Sequence, residues 1–206
     1  MKKVKVAIQG SAGSFHDQAA GLLLGDNIEL IECATFSETF DAFDTREADY
    51  VVVAVENTIY GQISSNFKLI DEYFCKVISE VSIRIELHLL ALPGVRIEDI
   101  TEIHSHPIAL AQCGNFLDNY RHLEISNSQN TAYASKEIAE HQLATRAAIA
   151  NETCAALYGL NVLAGPIQNQ KEDYTRFLLV QSATAMKRSL NATIPTILQI
   201  NQLKAN

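Results

Sequence analysis

"VVVAVENTIYGQISSNF", residues 51–67, places five apolar residues directly before Glu56, Asn57 and Thr58. A run of this kind is typical of a buried strand. Such strands normally end in turn residues, whereas this one ends in a carboxylate, an amide and a hydroxyl, with Gly61 shortly afterwards. We predict that the end of this strand forms one wall of a ligand cleft. Gly61 would let the next helix approach closely.

The chain around this strand alternates between strand and helix patterns. Strand patterns at residues 4–10 and 28–34 flank a helical pattern that begins at Ser11 or Ser14. A second helical pattern, opened by Ser37, leads into the strand at residue 50, and a third follows Gly61. This order predicts a parallel sheet with helices on its faces.

The alternation changes at "CKVISEVSIRIELHLLAL", residues 75–92, because 18 extended residues are too long for one ordinary strand. We predict that this stretch leaves one lobe and enters another. Residues 1–77 and 165–185 would form lobe 1, and residues 78–164 would form lobe 2. Residues 186–206 are predicted to be a tail. The predicted fold class is therefore α/β, with two lobes joined by crossing strands.

Lobe 2 carries its own strand and helix signals. A helix is predicted over residues 107–120 with Pro107 at its first position, and another starts at Asn130 and Thr131. A shorter helix is predicted to end at Gly159.

The composition describes a packed globular protein, with 48% hydrophobic residues and a net charge of −8. This charge argues against a nucleic-acid or anionic-membrane surface, but it allows a small anionic ligand. No apolar run approaches the length of a membrane span, and the start of the chain lacks the pattern of a signal peptide. We predict a cytoplasmic protein.

The four cysteines, Cys33, Cys75, Cys113 and Cys154, lie about 40 residues apart and include no C-x-x-C pair. This spacing favours buried thiols in a reducing compartment over a disulfide framework or a zinc site. His104 and His106 could share one face of a strand, but no third metal ligand is evident. We therefore predict no metal.

Small and hydroxylic residues recur where the predicted strands end, at "GSAGSF", "ENT", "SHP", "SQNTA" and "DYTRF". Most of them open a helix, where free backbone N–H groups favour a carboxylate or a phosphate. Each one alone is better explained as a helix cap. Together they predict a site for an anionic small molecule. The chain has no P-loop, no G-x-G-x-x-G after the first strand and no G-x-S-x-G.

Taken in order, these motifs resemble the prephenate dehydratase family. The similarity covers about residues 4–180 and rests on six segments: "GSAGSFHDQAA" (10–20), "VENTIYGQI" (55–63), "SHPIALAQC" (105–113), "NTAYAS" (130–135), "AAIANETCAALYGLNVL" (147–163) and "YTRFLLV" (174–180). The resemblance implies a two-lobed fold like that of periplasmic binding proteins, with the substrate in a cleft between the lobes. It also implies conversion of prephenate to phenylpyruvate with loss of water and carbon dioxide.

The resemblance implies roles for individual residues and a reaction that requires no cofactor. Thr175 would act at the leaving hydroxyl, and Glu56 is a candidate proton source if burial raises its pKa, or else a residue that orients a loop. The other implied residues bind substrate: Ser14, Asn57, Thr58, Ser105, His106, Gln112, Thr131, Ala132, Arg176 and Phe177.

The sequence also departs from the family pattern. Ser11 replaces a usual Pro, His16 a frequent Ser, and Leu87 a common His. Asp173 stands where Asn is customary, and its charge would weaken binding of a dianion unless Arg176 or another neighbour pairs it.

Relatives usually carry a C-terminal ACT domain that binds phenylalanine, and we expect that domain to be missing here. A homo-oligomer, dimer or tetramer, is also implied. Two alternatives stay open, an arogenate dehydratase and a non-catalytic module that binds a small anion.

Overall fold

The computed structural model describes residues 2–182, which fold into two α/β lobes. The elements of the first lobe are β1 Val4–Gln9, α1 Phe15–Leu24, β2 Ile28–Cys33, α2 Phe36–Asp44, β3 Tyr50–Asn57, β4 Gly61–Gln62, α3 Ser64–Glu72, β5 Cys75–Arg84 and β11 Tyr174–Ser182. Those of the second lobe are β6 His88–Ala91, β7 Glu102–Ser105, α4 Pro107–Gln112, α5 Gly114–Leu117, β8 Glu124–Asn127, α6 Thr131–His141, β9 Arg146–Ala150, α7 Glu152–Tyr158 and β10 Asn161–Ala164. Short 3₁₀ helices span Ile97–Asp99 and Asp118–Tyr120.

The first sheet has the strand order β2-β1-β3-β11-β5, with β4 paired to β3. β1 is parallel to β2 and β3, as predicted, whereas β11 runs antiparallel to both β3 and β5. Helix α1 covers one face of this sheet, and α2 and α3 cover the other. The residues from Val51 to Val55 are therefore buried on both sides, which explains their continuous apolar run.

The second sheet has the order β10-β6-β9-β7-β8 and also packs between two apolar clusters. The predicted two-lobed α/β fold is confirmed. The chain leaves the first sheet only after Arg84, because β5 pairs with β11 along its whole length, from Arg84 opposite Tyr174 to Cys75 opposite Ser182. We accordingly propose a lobe boundary at residues 85–87 rather than the predicted 77/78.

The two connections between the lobes run side by side. The amide of Ile85 donates to the carbonyl of Asp173 (2.8 Å), and the amide of Ile167 donates to the carbonyl of Leu87 (2.8 Å). In the second sheet, Leu89 pairs with Ala164, so the two ends of lobe 2 are neighbours.

A further contact joins the lobes on the side of α7. The carbonyl of Gly13 accepts from Asn151 Nδ2 (2.8 Å) and from Cys154 Sγ (3.2 Å). The Tyr158 hydroxyl donates to the carbonyl of Ala12 (2.7 Å). We call residues 12–13 and their three partners, the α7 cap Asn151 and the α7 residues Cys154 and Tyr158, the α7 clamp. It fixes the loop that leads into α1.

Most predicted helix ends are confirmed. Ser14 and Asn130 cap α1 and α6, Pro107 opens α4, and Gly159 ends α7 in the left-handed conformation. Helix α2 differs, because Thr35 rather than Ser37 is its cap.

Two hydrogen bonds hold the start of α2, one to the cap Thr35 and one from the residue before it. Thr35 Oγ1 accepts from the amide of Glu38 (3.2 Å), while the Glu38 side chain accepts from the amide of Ala34 (2.9 Å). The predicted helix over residues 107–120 is broken at Cys113, whose φ and ψ are −105° and 17°. Within residues 2–182, no helix has the length and apolar character of a membrane span. The predicted tail, 186–206, lies outside the described residues.

Candidate active site

A cavity of about 400 Å³ lies between the lobes. This volume is in the range of small-molecule sites, roughly 300–1,000 Å³. The lining residues are Gln9, Ser14, Phe15, His16, Phe36, Ala54, Asn57, Tyr60, Ile63, Ile85, Leu87, His106, Ile108, Ala109, Gln112, Gln129, Asn130, Thr131, Thr175 and Phe177. None of these described residues is Asp, Glu, Lys or Arg, so the wall itself carries no fixed charge beyond any protonated histidine.

Thr175 and Asn57 lie opposite each other on β11 and β3 and form the polar end of the cavity. Asn57 Nδ2 donates to Thr175 Oγ1 (3.0 Å), while Asn57 Oδ1 accepts from the amides of Ile59 and Tyr60 (2.9 and 3.0 Å). The tight turn after β3 therefore fixes the amide orientation. Because Thr175 Oγ1 accepts a hydrogen bond, its own hydrogen is left for a group in the cavity.

Asp173 stands behind this pair and is fully buried. Its Oδ1 accepts from Asn57 Nδ2 (2.7 Å) and Thr58 Oγ1 (3.3 Å), and its Oδ2 accepts from Gln112 Nε2 (2.7 Å). Burial raises the pKa of the Asp173 carboxyl, and the bonds from Asn57 and Thr58 act in the opposite direction. The predicted partner, Arg176, does not reach it. Neutral side chains from both lobes solvate the carboxyl instead.

Glu56 and Arg176 lie opposite each other on β3 and β11, one position out of phase with Asn57 and Thr175. On β11, Arg176 lies between the cavity-lining Thr175 and Phe177 and so points to the opposite face. On β3, a register shift between Ala54 and Glu56 turns Asn57, and not Glu56, to the face of Ala54, so neither Glu56 nor Arg176 reaches the cavity. They pair with each other (3.6 Å), and Arg176 also binds Glu80 (2.6 Å). Side-chain exposure is 53% for Glu56 and 41% for Arg176. The predicted proton source and the predicted cationic anchor are thus an exposed ion pair.

Three capping residues present donors to the cavity from helix starts. Ser14 Oγ accepts from the amide of Asp17 (3.3 Å), His106 Nδ1 from that of Ile108 (3.2 Å), and Asn130 Oδ1 from that of Tyr133 (2.7 Å). Each cap uses its acceptor on the backbone, so its donor remains: the Ser14 hydroxyl, the Nε2–H of neutral His106 and the Asn130 amide. Burial lowers the pKa of His106, which favours the neutral ring. An anion can therefore be held by uncharged donors.

His16 lies on the same wall and was not among the predicted site residues. Its Nε2 accepts from the amide of Ala54 (3.3 Å), and its ring lies edge-on to Phe177 at 5.0 Å between centroids. Burial lowers the pKa of His16 to about 4. His16 is thus a neutral, oriented imidazole at neutral pH.

The remaining predicted residues divide into two groups. Gln112, Thr131 and Phe177 line the cavity. Thr58, Ser105 and Ala132 do not, because their side chains are used elsewhere. Thr58 Oγ1 accepts from the amide of Tyr174 (2.9 Å), Ser105 Oγ donates to the carbonyl of Ile149 (2.5 Å), and Ala132 is buried in the second lobe's core.

Sequence reasoning missed much of the apolar wall, including Phe36, Ile63 and Ile108, and the amides Gln9 and Gln129. Phe36, Ile63 and Ile108 lie at helix starts, Gln129 in a loop and Gln9 at the end of β1. Nothing in the local pattern there marks a ligand-facing side chain. His16 had a signal, since it was one of two unusual residues in the first motif, together with Ser11. Among residues 2–182, no three His, Cys, Asp or Glu side chains group as metal ligands. His104 binds Asn127 and Glu137 instead.

The fold and the cavity together define a class: a two-lobed α/β protein that holds a small molecule between its lobes. Comparison with known proteins then gives the family. The chain belongs to the prephenate dehydratase family, whose model matches residues 6–185.

A curated relative, arogenate dehydratase/prephenate dehydratase 2 of Arabidopsis thaliana, is 37% identical over 178 residues, 86% of this chain and 46% of that protein. The prephenate dehydratase of Arthrobacter aurescens, solved with L-Phe, has a TM-score of 0.77 and 29% identity over 87% of this chain and 60% of its own. GqqA, described as a novel type of quorum-quenching acylase, has a TM-score of 0.75 and 27% identity over 93% of this chain and 66% of its own. The chain spans about half the length of the curated relatives it matches.

Proposed function

We propose that this chain is a carbon–oxygen lyase that converts prephenate to phenylpyruvate, the dehydration and decarboxylation step of L-phenylalanine biosynthesis. The observation that carries the proposal is the Thr175 hydroxyl, which lies in the cavity with its acceptor side held by Asn57. A hydroxyl fixed in this way is a donor aimed at one point, which is what a departing hydroxyl group requires.

The reaction needs one proton and no oxidant. As the bond between the ring and its carboxylate breaks, carbon dioxide leaves and the electron pair moves through the ring. The carbon–oxygen bond at the opposite ring carbon then breaks, the ring becomes aromatic, and the departing hydroxide takes a proton to become water. We assign Thr175 the hydrogen bond that stabilises this developing negative charge. Glu56 is not proposed as the proton source, because it lies outside the cavity, and solvent can supply the proton.

Uncharged donors hold the two carboxylates in this proposal. Ser14, His106 and Asn130 each keep a donor after capping a helix, and Thr131 lies beside Asn130. Apolar residues such as Phe177 fill the space between these donors. Exclusion of water by this wall strengthens each hydrogen bond to the substrate.

The test is turnover of prephenate by the purified chain and by two variants of Thr175, one that removes the hydroxyl and one that keeps it. Thr175→Val removes the hydroxyl and is expected to lower kcat by about 10²–10³-fold, as for other donors to a developing oxyanion. Thr175→Ser keeps the hydroxyl and should retain most of the rate.

Glu56→Gln serves as a matched control on the opposite face of the same strand pair, with turnover expected to stay within about twofold of the parent. A folded Thr175→Val chain with parental kcat would reject the role of Thr175. A large loss in Glu56→Gln would return that carboxylate to the proton path.

Three other functions would give results different from those of a prephenate dehydratase. Arogenate dehydratase would show as turnover of arogenate in place of prephenate. A binding-only module would bind phenylpyruvate without turning prephenate over. An acylase that used Thr175 as its nucleophile would need a general base beside that hydroxyl. Within the described chain the Thr175 hydroxyl oxygen is bonded only to the Asn57 amide, which is not a base.

We further propose a cytoplasmic protein that assembles as a homo-oligomer. The four cysteines, all within the described residues, are free thiols, which supports a reducing compartment. The dimer or tetramer rests on the family resemblance, and sedimentation of the purified chain tests it.

A further inference from the structure

His16 is held in one tautomer by the backbone of β3. Ala54 lies beyond the last β1–β3 register pair, Ile8 with Val52, so its amide has no partner from β1. The amide donates to His16 Nε2 instead (3.3 Å). An N–H group can only donate, so Nε2 must present its lone pair. In the neutral ring the single proton is therefore on Nδ1.

The Nδ1–H group of His16 is available to a ligand. Within residues 2–182 it has no hydrogen-bond partner, and it is not among the polar atoms sealed from solvent. His16 lines the cavity, and Nδ1 is its ring nitrogen without a partner among the described residues, so this donor is the one that a ligand in the cavity can meet. The ring is also fixed in orientation by Phe177 and Phe36, with centroids 5.0 and 5.6 Å away.

The position of His16 relative to Thr175 suits the two ends of a cyclohexadiene substrate. The imidazole packs on Phe177, which follows Thr175 by two residues on β11, and both side chains line the cavity. Two residues of a strand span roughly 7 Å. With the departing hydroxyl at Thr175, the three-carbon side chain on the opposite ring carbon extends towards His16.

We propose that the Nδ1–H of His16 selects substrates that carry a keto group over those that carry an ammonium group on this three-carbon side chain. The inference deepens the proposed function, on which it rests, by assigning a preference for prephenate over arogenate. A keto oxygen accepts the hydrogen bond, whereas an ammonium group only donates and would face another donor. No carboxylate among the described lining residues is available to pair an ammonium group.

Two substitutions of His16 separate the Nδ1–H donor from the hydrogen bond that Nε2 accepts from Ala54. Glutamine places an amide oxygen near the Nε2 position, so His16→Gln can keep the bond from Ala54 while it loses the donor at Nδ1. Asparagine places an amide N–H near the Nδ1 position, so His16→Asn keeps the donor and loses the anchor. His141→Gln, at an exposed histidine at the end of α6, is the matched control.

The measurement is the ratio of kcat/KM for prephenate to that for arogenate. We expect the parent, His16→Asn and His141→Gln to favour prephenate by about tenfold or more. His16→Gln should lower this ratio by roughly fivefold or more, mainly through KM for prephenate. A ratio in His16→Gln within about twofold of the parent would overturn the proposal, as would an equal loss for both substrates in both variants.

Binding of the unreactive products keeps the test independent of catalysis. Phenylpyruvate carries the keto group and L-phenylalanine the ammonium group, and calorimetry compares them on the same four proteins. If the parent turns over neither substrate but prefers phenylpyruvate in a His16-dependent manner, the proposed reaction fails and the inference stands. If prephenate is turned over but His16→Gln leaves both ratios unchanged, the inference fails and the reaction stands.

Discussion

At the scale of single residues, the least expected feature is a buried carboxylate next to a cavity for which we propose an anionic ligand. Asp173 has no cationic partner among the described residues and is bonded by Asn57, Thr58 and Gln112. Two of these partners, Asn57 and Gln112, also line the cavity. The carboxyl therefore orients the amide that holds Thr175, while its negative charge opposes a dianionic ligand nearby.

Asp173→Asn should strengthen substrate binding. The new amide can accept from Asn57 and, after Gln112 turns its own amide over, donate to Gln112. Removal of a partial or full negative charge several ångströms from a dianion should lower KM for prephenate on the order of threefold to tenfold. Steady-state kinetics near pH 8 measures this. An unchanged or higher KM would show that the carboxyl is already protonated there or that Asn57 needs it for orientation.

At the scale of elements, strand alternation decides which polar residues reach the cavity. The end of β3 lines the cavity through Asn57 because a register shift against β11 lies between Ala54 and Glu56. Without it, alternation from Ala54 would place Glu56 at the cavity, since Glu56 and Asn57 are adjacent and face opposite sides. Thr175 and Arg176 are likewise adjacent and face opposite sides. Which side holds the cavity depends on where lobe 2 packs, and the local pattern contains no information about that.

The positions of the helix caps could be predicted from the sequence, whereas contacts between distant segments could not. Ser14, Pro107 and Asn130 follow from local residue preferences. The tautomer of His16 depends instead on an amide 38 residues away in sequence. The tight packing of α7 on the loop before α1 likewise depends on contacts across the lobes.

Gly13 carries a prediction at this scale, because it belongs to the α7 clamp. Its φ is +84°, and an added Cβ would lie 3.2 Å from both Cys154 Sγ and Leu157 Cδ2. Gly13→Ala should therefore lower the free energy of unfolding by about 1–2 kcal/mol, and also reduce turnover by displacing Ser14.

Gly21→Ala is the control for this change. Gly21 lies within α1, an added Cβ there meets nothing within 4 Å, and its φ is not positive. Alanine should be neutral or stabilise the fold by up to about 1 kcal/mol. Urea unfolding measures the free energy of unfolding of Gly13→Ala and of Gly21→Ala. Equal values would show that the α7 clamp does not stabilise the fold at Gly13.

At the scale of the whole molecule, the two sheets and their apolar clusters followed from the order of strand and helix patterns. The mixed first sheet was harder to foresee, since β11 enters it from the far end of the chain and runs antiparallel. The site is shared between the lobes, so its side chains meet only once both sheets have formed.

The stability of the whole fold should depend on pH through His16. In the unfolded chain this histidine binds a proton near pH 6.5, but in the folded protein its pKa is about 4. Between these values the unfolded state holds more protons, so the free energy of unfolding falls as the pH falls. The expected loss between pH 7 and pH 5 is up to about 2 kcal/mol.

Other groups modify this dependence without reversing its direction in that range. The lowered pKa of His106 adds a loss of the same sign, and the raised pKa of Asp173 opposes it as the pH approaches acid values. Urea unfolding at pH 7 and pH 5 measures the effect in the parent and in His16→Gln, which should show a shallower decline. Identical declines would exclude His16 as the cause.

The paired ends of lobe 2 allow this lobe to be rearranged or exchanged as a unit. Since Leu89 lies opposite Ala164 and the two connections are adjacent, lobe 2 is an insertion with neighbouring termini in a host that closes its own sheet with β11. Such a module can in principle be circularly permuted or exchanged as a unit. Its exchange would replace the starts of α4 and α6 together, and with them lobe 2's part of the cavity wall, while Asn57 and Thr175 stay in place.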